Sequence, residues 1–141
     1  MNTYEVKLAA NDVLCREGER GTDLYLISEG ELLVCVCRGT QVTAIAQLGP
    51  GEFLGELSFF DNRPRGADVI ALTPCRLLRI PAVEALPHLP PWLVTLGQRM
   101  GHKIRVLDDA IRKKGLRRRP PRELRALTIE EQRRIFQILS Q

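Results

Sequence analysis

Glu56 and Arg65 are the two residues of this chain whose types and spacing most suggest chemistry. They share one glycine-rich segment, Gly49 to Asp68, which reads GPGEFLGELSFFDNRPRGAD. Gly55 and Gly66 permit close approach of the backbone, so peptide N–H groups can point into a cavity. Gly55 to Phe60 reads as a short helical turn whose first amides have no intrahelical acceptor and favour an anion. Arg65, between Pro64 and Gly66, can meet a phosphate with two parallel N–H donors. Glu56 is an odd neighbour for a phosphate, because two anions repel. The conflict disappears if the ligand offers a hydroxyl to the carboxylate and a phosphate to the guanidinium. A ribose phosphate has both.

Other candidates for chemistry are few. Cys15, Cys35, Cys37 and Cys75 form no CxxC pair and match no zinc-knuckle spacing. Cys35 and Cys37 stand two apart and share one face of a strand. All four read as small hydrophobes of a reducing compartment. His88 and His102 have no acidic partner at ligand spacing. Neither a metal site nor a histidine-activated nucleophile is expected, and the chain does not read as an enzyme.

Short strands must position Glu56 and Arg65. Apolar-rich runs at Asp12–Arg16, Leu24–Ser28, Glu31–Arg38, Gln41–Leu48, Asp68–Leu72 and Cys75–Ile80 are separated by glycine or Thr-Pro turns. That rhythm suggests a sandwich or barrel. The pattern then changes. Leu93, Leu96, Met100, Ile104, Leu107 and Ile111 recur at three- or four-residue steps, which predicts one apolar face of a long helix over 91–114. Gly97 and Gly101 weaken it by up to about 1 kcal/mol each unless close packing uses them. Gly115 is a stop signal, and Leu116-Arg117-Arg118-Arg119-Pro120-Pro121 is a basic linker. Thr128-Ile129-Glu130-Glu131 is a capping box that opens a last short helix with Ile135, Phe136 and Leu139 on one side. The expected fold class is mainly β with C-terminal α, divided as 1–90, 91–114 and 115–141.

Gly51-Glu52-Phe53-Leu54-Gly55-Glu56-Leu57, continuing to Pro64-Arg65-Gly66-Ala67, resembles the phosphate-binding cassette of cyclic nucleotide-binding domains. This family includes catabolite-activator-type regulators, protein kinase A regulatory subunits and cyclic-nucleotide-gated channels. Gly18-Glu19-Arg20-Gly21-Thr22-Asp23-Leu24-Tyr25-Leu26-Ile27-Ser28-Glu29-Gly30 is similar to the family's first glycine-bracketed hairpin, so the resemblance spans roughly residues 8–112. It implies an eight-stranded double-stranded β-helix, a jelly-roll-like β-roll, with flanking helices. It implies that Arg65 pairs with the cyclic phosphate and that Glu56 accepts the ribose 2′-hydroxyl. Backbone amides of Gly55, Leu57, Gly66 and Ala67 would line the phosphate pocket, and Ile45 would touch the purine. Gly66 lacks the hydroxyl that some members carry, which favours cAMP over cGMP. Asp68 stands where many members have Thr or Ser. A carboxylate there would repel the phosphate unless strand alternation turns it outward. Tyr25, Phe53, Phe59 and Phe60 read as core.

In such regulators the long helix commonly dimerises and closes over the base. Residues 91–114 are therefore a candidate homodimer seam, interrupted by Lys103, with Trp92 anchoring the helix on the roll. Arg99, His102, Lys103 and Val106 are candidates to reach the adenine. A winged helix-turn-helix needs about 60–70 residues, and 27 follow Lys114, so a member without sequence-specific DNA binding is expected.

Charge is divided along the chain. Residues 1–97 hold 8 Lys+Arg against 12 Asp+Glu, and residues 98–141 hold 13 against 5. No apolar run is long enough to cross a membrane, and the N-terminus does not read as a signal peptide. The expectation is a cytoplasmic cAMP sensor that signals to a partner protein by moving its C-terminal helices. Two alternatives stand beside it. One is a nucleotide-free interaction module, in which Arg65 and Glu56 pair with each other and Ile135, Phe136 and Leu139 dock on another protein. The other is nucleic-acid binding through the Arg112-Lys113-Lys114 and Arg117-Arg118-Arg119 clusters.

Overall fold

The computed structural model describes residues 2–114 and 126–141. The expected basic linker and the clusters at 112–114 and 117–119 lie outside its described residues and side chains. Eight strands form two four-stranded antiparallel sheets: β1 Tyr4–Leu8, β2 Val13–Cys15, β3 Leu24–Glu29, β4 Leu32–Arg38, β5 Gln41–Leu48, β6 Phe53–Leu54, β7 Asp68–Ala71 and β8 Cys75–Ile80. One sheet runs β1-β8-β3-β6 and the other β2-β7-β4-β5. The order interleaves early and late strands, as a jelly-roll-like β-roll requires. β1 and the two-residue β6 escape the sequence pattern. β1, Tyr4-Glu5-Val6-Lys7-Leu8, is an edge strand with alternating exposure and no glycine bracket.

Side-chain alternation divides the apolar residues into two layers. Ile27, Leu32, Leu54, Val69, Ala71, Cys75 and Leu77 fill the interior of the roll. Leu33, Cys35, Val42 and Ile70 point to the outer face of the second sheet. Strand β4 is apolar on both faces, which explains its uninterrupted LLVCVC run. Cys35 and Cys37 do share a face, the outer one.

Among the described residues, four α-helices accompany the roll: α1 Glu56–Asp61, α2 Ala82–Ala85, α3 Pro91–Lys114 and α4 Ile129–Leu139. The capping box of α4 forms, with Thr128 Oγ1 accepting from the Glu131 amide and Glu131 Oε1 from the Thr128 amide, both at 3.1 Å. This helix does not offer its apolar side outward. Ile135 is 1% exposed and packs with Phe136, Ile138 and Leu139 on the outer face of the β2-β7-β4-β5 sheet. The docking role considered for these residues on another protein is therefore corrected: in this fold their own sheet covers them.

Helix α3 lies along α1. A Cβ at Gly97 would sit 2.4 Å from the Phe60 ring, so this glycine is what allows the two helices to meet. The opposite side of α3 is open: Leu96, Met100 and Leu107 are 46%, 54% and 56% exposed, and Trp92 is 67% exposed. Trp92 therefore does not anchor the helix on the roll. The anchor is a glycine-and-arginine stripe on the other side.

Candidate functional site

The interior of the roll opens into a cavity of about 530 Å³ between the cassette and α3, within the usual range for small-molecule sites. All seven residues singled out from the sequence line it: Ile45, Gly55, Glu56, Leu57, Arg65, Gly66 and Ala67.

The cassette is local chemistry. Gly55 takes φ 83°, a left-handed conformation that only glycine adopts readily, and so caps α1 without a side chain. The Phe59 amide already donates to the Gly55 carbonyl at 3.0 Å. The chain leaves α1 through Asn62, also left-handed at φ 56°. It then crosses to β7 by way of Pro64, Arg65 and Gly66.

Arg65 is 7% exposed, yet among the described residues its guanidinium donates only to backbone oxygens. Nη1 donates to the Gly55 carbonyl at 3.2 Å and Nη2 to the Asp23 carbonyl at 2.8 Å. A Cβ at Gly21 would stand 3.3 Å from its Nε, so Gly21 walls the same side. Among the described residues, none of the ion pairs includes Arg65. Two neutral carbonyls orient the charge without neutralising it. A buried cation without a counter-charge is costly, and Arg65 lines the cavity. The Arg65–Glu56 pairing assumed for a nucleotide-free module is not present. Glu56 is exposed at the cavity wall.

Asp68 resolves by strand alternation. Val69 and Ala71 point into the roll and Ile70 out of it, which puts Asp68 on the outer side. Its Oδ1 accepts from the Glu17 amide at 2.8 Å. Burial, then the Asp68 charge, pushes the neighbouring Cys37 thiol up to about 11. Asp68 is absent from the cavity lining, so no carboxylate from this strand opposes a phosphate. Cys15 does line the cavity. Burial raises its thiol to about 11 against the opposing pull of Arg65.

Much of the cavity lining is apolar, with Val34, Ile45, Ala46, Leu48, Phe53 and Leu54. Phe53 is 50% exposed and is cavity wall rather than core. Phe59 and Phe60 pack as expected, edge to face at 5.1 Å.

Over the cassette, α3 presents Arg105, Asp108 and Asp109, not Arg99, His102, Lys103 or Val106. The reason is helix phase. Gly97, Gly101 and Arg105, at four-residue steps, form the stripe seated on α1, whereas Arg99, Lys103 and Val106 lie on the far side. Arg105 Nε and Nη2 donate to the two Asp61 oxygens at 2.5 and 3.1 Å. Nη2 also reaches Ser58 Oγ at 3.5 Å. Burial pushes Asp61 up, but the Arg105 hydrogen bond and the Arg63 amide outweigh it and hold the carboxyl below its ordinary 3.8. Sequence reading missed Arg105. The signal was present in the spacing of Gly97, Gly101 and Arg105, had the glycines been taken as the packed face.

The β-roll thus encloses a cavity lined by a buried arginine, a glycine-capped helical turn and apolar side chains. The chain belongs to the cyclic nucleotide-binding domain family, whose family model matches residues 5–86. It is 32% identical over 116 residues to a cyclic nucleotide-gated potassium channel of Rhizobium etli, covering 81% of this chain and 28% of that protein. It is 37% identical over 65 residues to a cyclic AMP receptor protein of Thermus thermophilus, covering 45% of this chain and 30% of that one. Among solved structures, the cGMP-bound form of the EAL enzyme Bd1971 superposes with a TM-score of 0.62 at 27% identity, over 82% of this chain and 30% of that one. The chain thus spans less than a third of the curated relatives it matches.

Proposed function

We propose that this chain is a receptor for a cyclic nucleotide, with cAMP as its ligand, and that it acts by binding rather than turnover. The observation that carries the reading is Arg65, a buried guanidinium held by two carbonyls in the lining of the cavity. In this reading the cyclic phosphate neutralises Arg65 and takes the amides of Gly55, Leu57, Gly66 and Ala67, while Glu56 accepts the ribose hydroxyl. The base lies against Ile45 and Phe53, beneath α3. Gly66 supplies no hydroxyl to a guanine, which supports cAMP over cGMP. Ligand under α3 shifts that helix on α1, and the exposed stripe of Leu96, Met100 and Leu107 is the seat of a second copy and the output surface toward a partner. The four cysteines are unpaired, in keeping with a cytoplasmic setting.

Calorimetry with cAMP, cGMP and a cyclic dinucleotide tests this. The expected result is tightest binding of cAMP. Arg65→Ala should weaken it by about 2–5 kcal/mol, at least about thirtyfold, because the phosphate loses a desolvated charge partner. No heat of binding at millimolar cAMP, or an Arg65→Ala protein that binds like the native one, would overturn it.

A further inference from the structure

The segment Arg16–Glu19 holds two things at once. On its inner side it fixes the main chain of the cassette arginine. The Arg65 amide donates to the Glu19 carbonyl and the Gly18 amide to the Arg65 carbonyl, both at 2.8 Å. The Glu17 amide donates to Asp68 Oδ1, three residues on, also at 2.8 Å. On its outer side it grips the end of α4. Arg16 Nε donates to the Leu139 carbonyl at 3.2 Å and Nη2 to the Gln141 carbonyl at 3.0 Å. On Leu139 the arginine satisfies an acceptor that the helix itself leaves open, and on Gln141 it holds the residue just past the C-cap. Within the segment, Arg16 accepts the Glu19 amide at 3.1 Å, and its guanidinium approaches the Glu19 carboxylate at 4.0 Å. A further tie joins α4 to the sheet, from the Val42 amide to Gln132 Oε1 at 3.2 Å.

Resting on the receptor reading above, we propose that α4 is a regulatory clamp on the phosphate seat, coupled to Arg65 through Arg16–Glu19. The two states are α4 docked and α4 released. Docked, it immobilises Arg16, and the segment then holds the Arg65 backbone in register with the cavity. Released, it frees Arg16 and loosens the two hydrogen bonds to the Arg65 backbone and the one to Asp68. The docked state is therefore the one that binds ligand well. By linkage, ligand must favour docking by the same factor as docking favours ligand.

The full chain serves for the test. Amide exchange of residues 126–141 is measured with and without saturating cAMP, and cAMP affinity is measured for the native protein, Arg16→Gln and Arg16→Lys. The expected result is at least about fivefold slower exchange in α4 with cAMP and at least about fivefold weaker binding by Arg16→Gln, the low end of typical couplings. Arg16→Lys should restore part of the affinity. Exchange in β3 and β8 should stay unchanged in both variants, which separates positioning from general loss of fold. Ligand that binds in an Arg65-dependent way, with α4 exchange unmoved and Arg16→Gln binding normally, would overturn the clamp alone. No cAMP binding at all would remove the receptor reading and the clamp with it.

Discussion

Helix α4 buries Ile135 to 1% exposure against a sheet, whereas the longer α3 leaves Leu96, Met100 and Leu107 about half exposed. Both helices are amphipathic, and both follow the roll. They use their faces in opposite ways. Helix α4 seats its apolar face on Leu33, Cys35, Val42 and Ile70, so its docking rests on burial. Helix α3 seats its small and polar face, Gly97, Gly101 and Arg105, on the cassette helix. A glycine contact buries little apolar area and a charge latch depends on its surroundings, so the α3 seat is the easier one to leave. That difference matches the movement proposed for α3 and the clamp proposed for α4.

The largest effect expected from this contrast is at Ile135. Ile135→Ala deletes a fully buried side chain and should cost about 2–5 kcal/mol of stability, read from denaturant unfolding at constant m-value. A loss below about 1 kcal/mol would mean that α4 is not held by its apolar face, and the contrast would collapse.

Next comes the α3 latch. Arg105→Ala removes hydrogen bonds to a charged, largely buried carboxylate, for an expected loss of about 1.5–3 kcal/mol in α3 docking. Its pH dependence has a definite sign. The folded Asp61 carboxyl lies below its ordinary 3.8, so its stabilisation is present in full above that value and is lost as pH falls through the lower folded value. The difference between native and Arg105→Ala proteins should therefore be constant from about pH 5 to 7 and shrink below about pH 4. Amide exchange of α3 peptides across that range reads it. A difference that grows on acidification would refute the latch.

These two helices also mark how far the sequence could be read. The cassette was legible because its chemistry is local. Gly55, Glu56, Arg65 and Gly66 lie within a dozen residues, and the turn types that place them are written in glycine and proline. The roll was legible from strand rhythm, apart from β1 and β6, which are too short or too weakly bracketed to stand out. What α3 presents to the cavity was not legible. The apolar period of Leu93, Leu96, Met100 and Leu107 identified the helix and marked that face as a candidate dimer seam, without saying which face meets the roll. The seat is in fact chosen by where side chains are absent, at Gly97 and Gly101, and a period of missing bulk is easily misread as helix weakness. The destination of α4 was equally hidden. An apolar stripe says that a helix must be covered, and only the outward residues Leu33, Cys35 and Ile70 of strands distant in sequence say by what.

The smallest expected effect is the most direct check on the exposed face of α3. Leu107 is 56% exposed, so Leu107→Gln should change the stability of a dilute, monomeric sample by no more than about 0.5 kcal/mol, as at ordinary surface sites. The same substitution puts an amide into the stripe proposed to meet a second copy, where burying an unpaired polar group costs about 1–3 kcal/mol. Light scattering across a concentration series should then show native protein dimerising at lower concentration than Leu107→Gln, by at least about fivefold, the equivalent of 1 kcal/mol. If both proteins stay monomeric at every concentration, a second copy does not cover the stripe and the output surface must be sought in a different partner. If Leu107→Gln destabilises the dilute monomer as strongly as Ile135→Ala does, the two helices are anchored alike, and the distinction between a movable α3 and a clamped α4 fails.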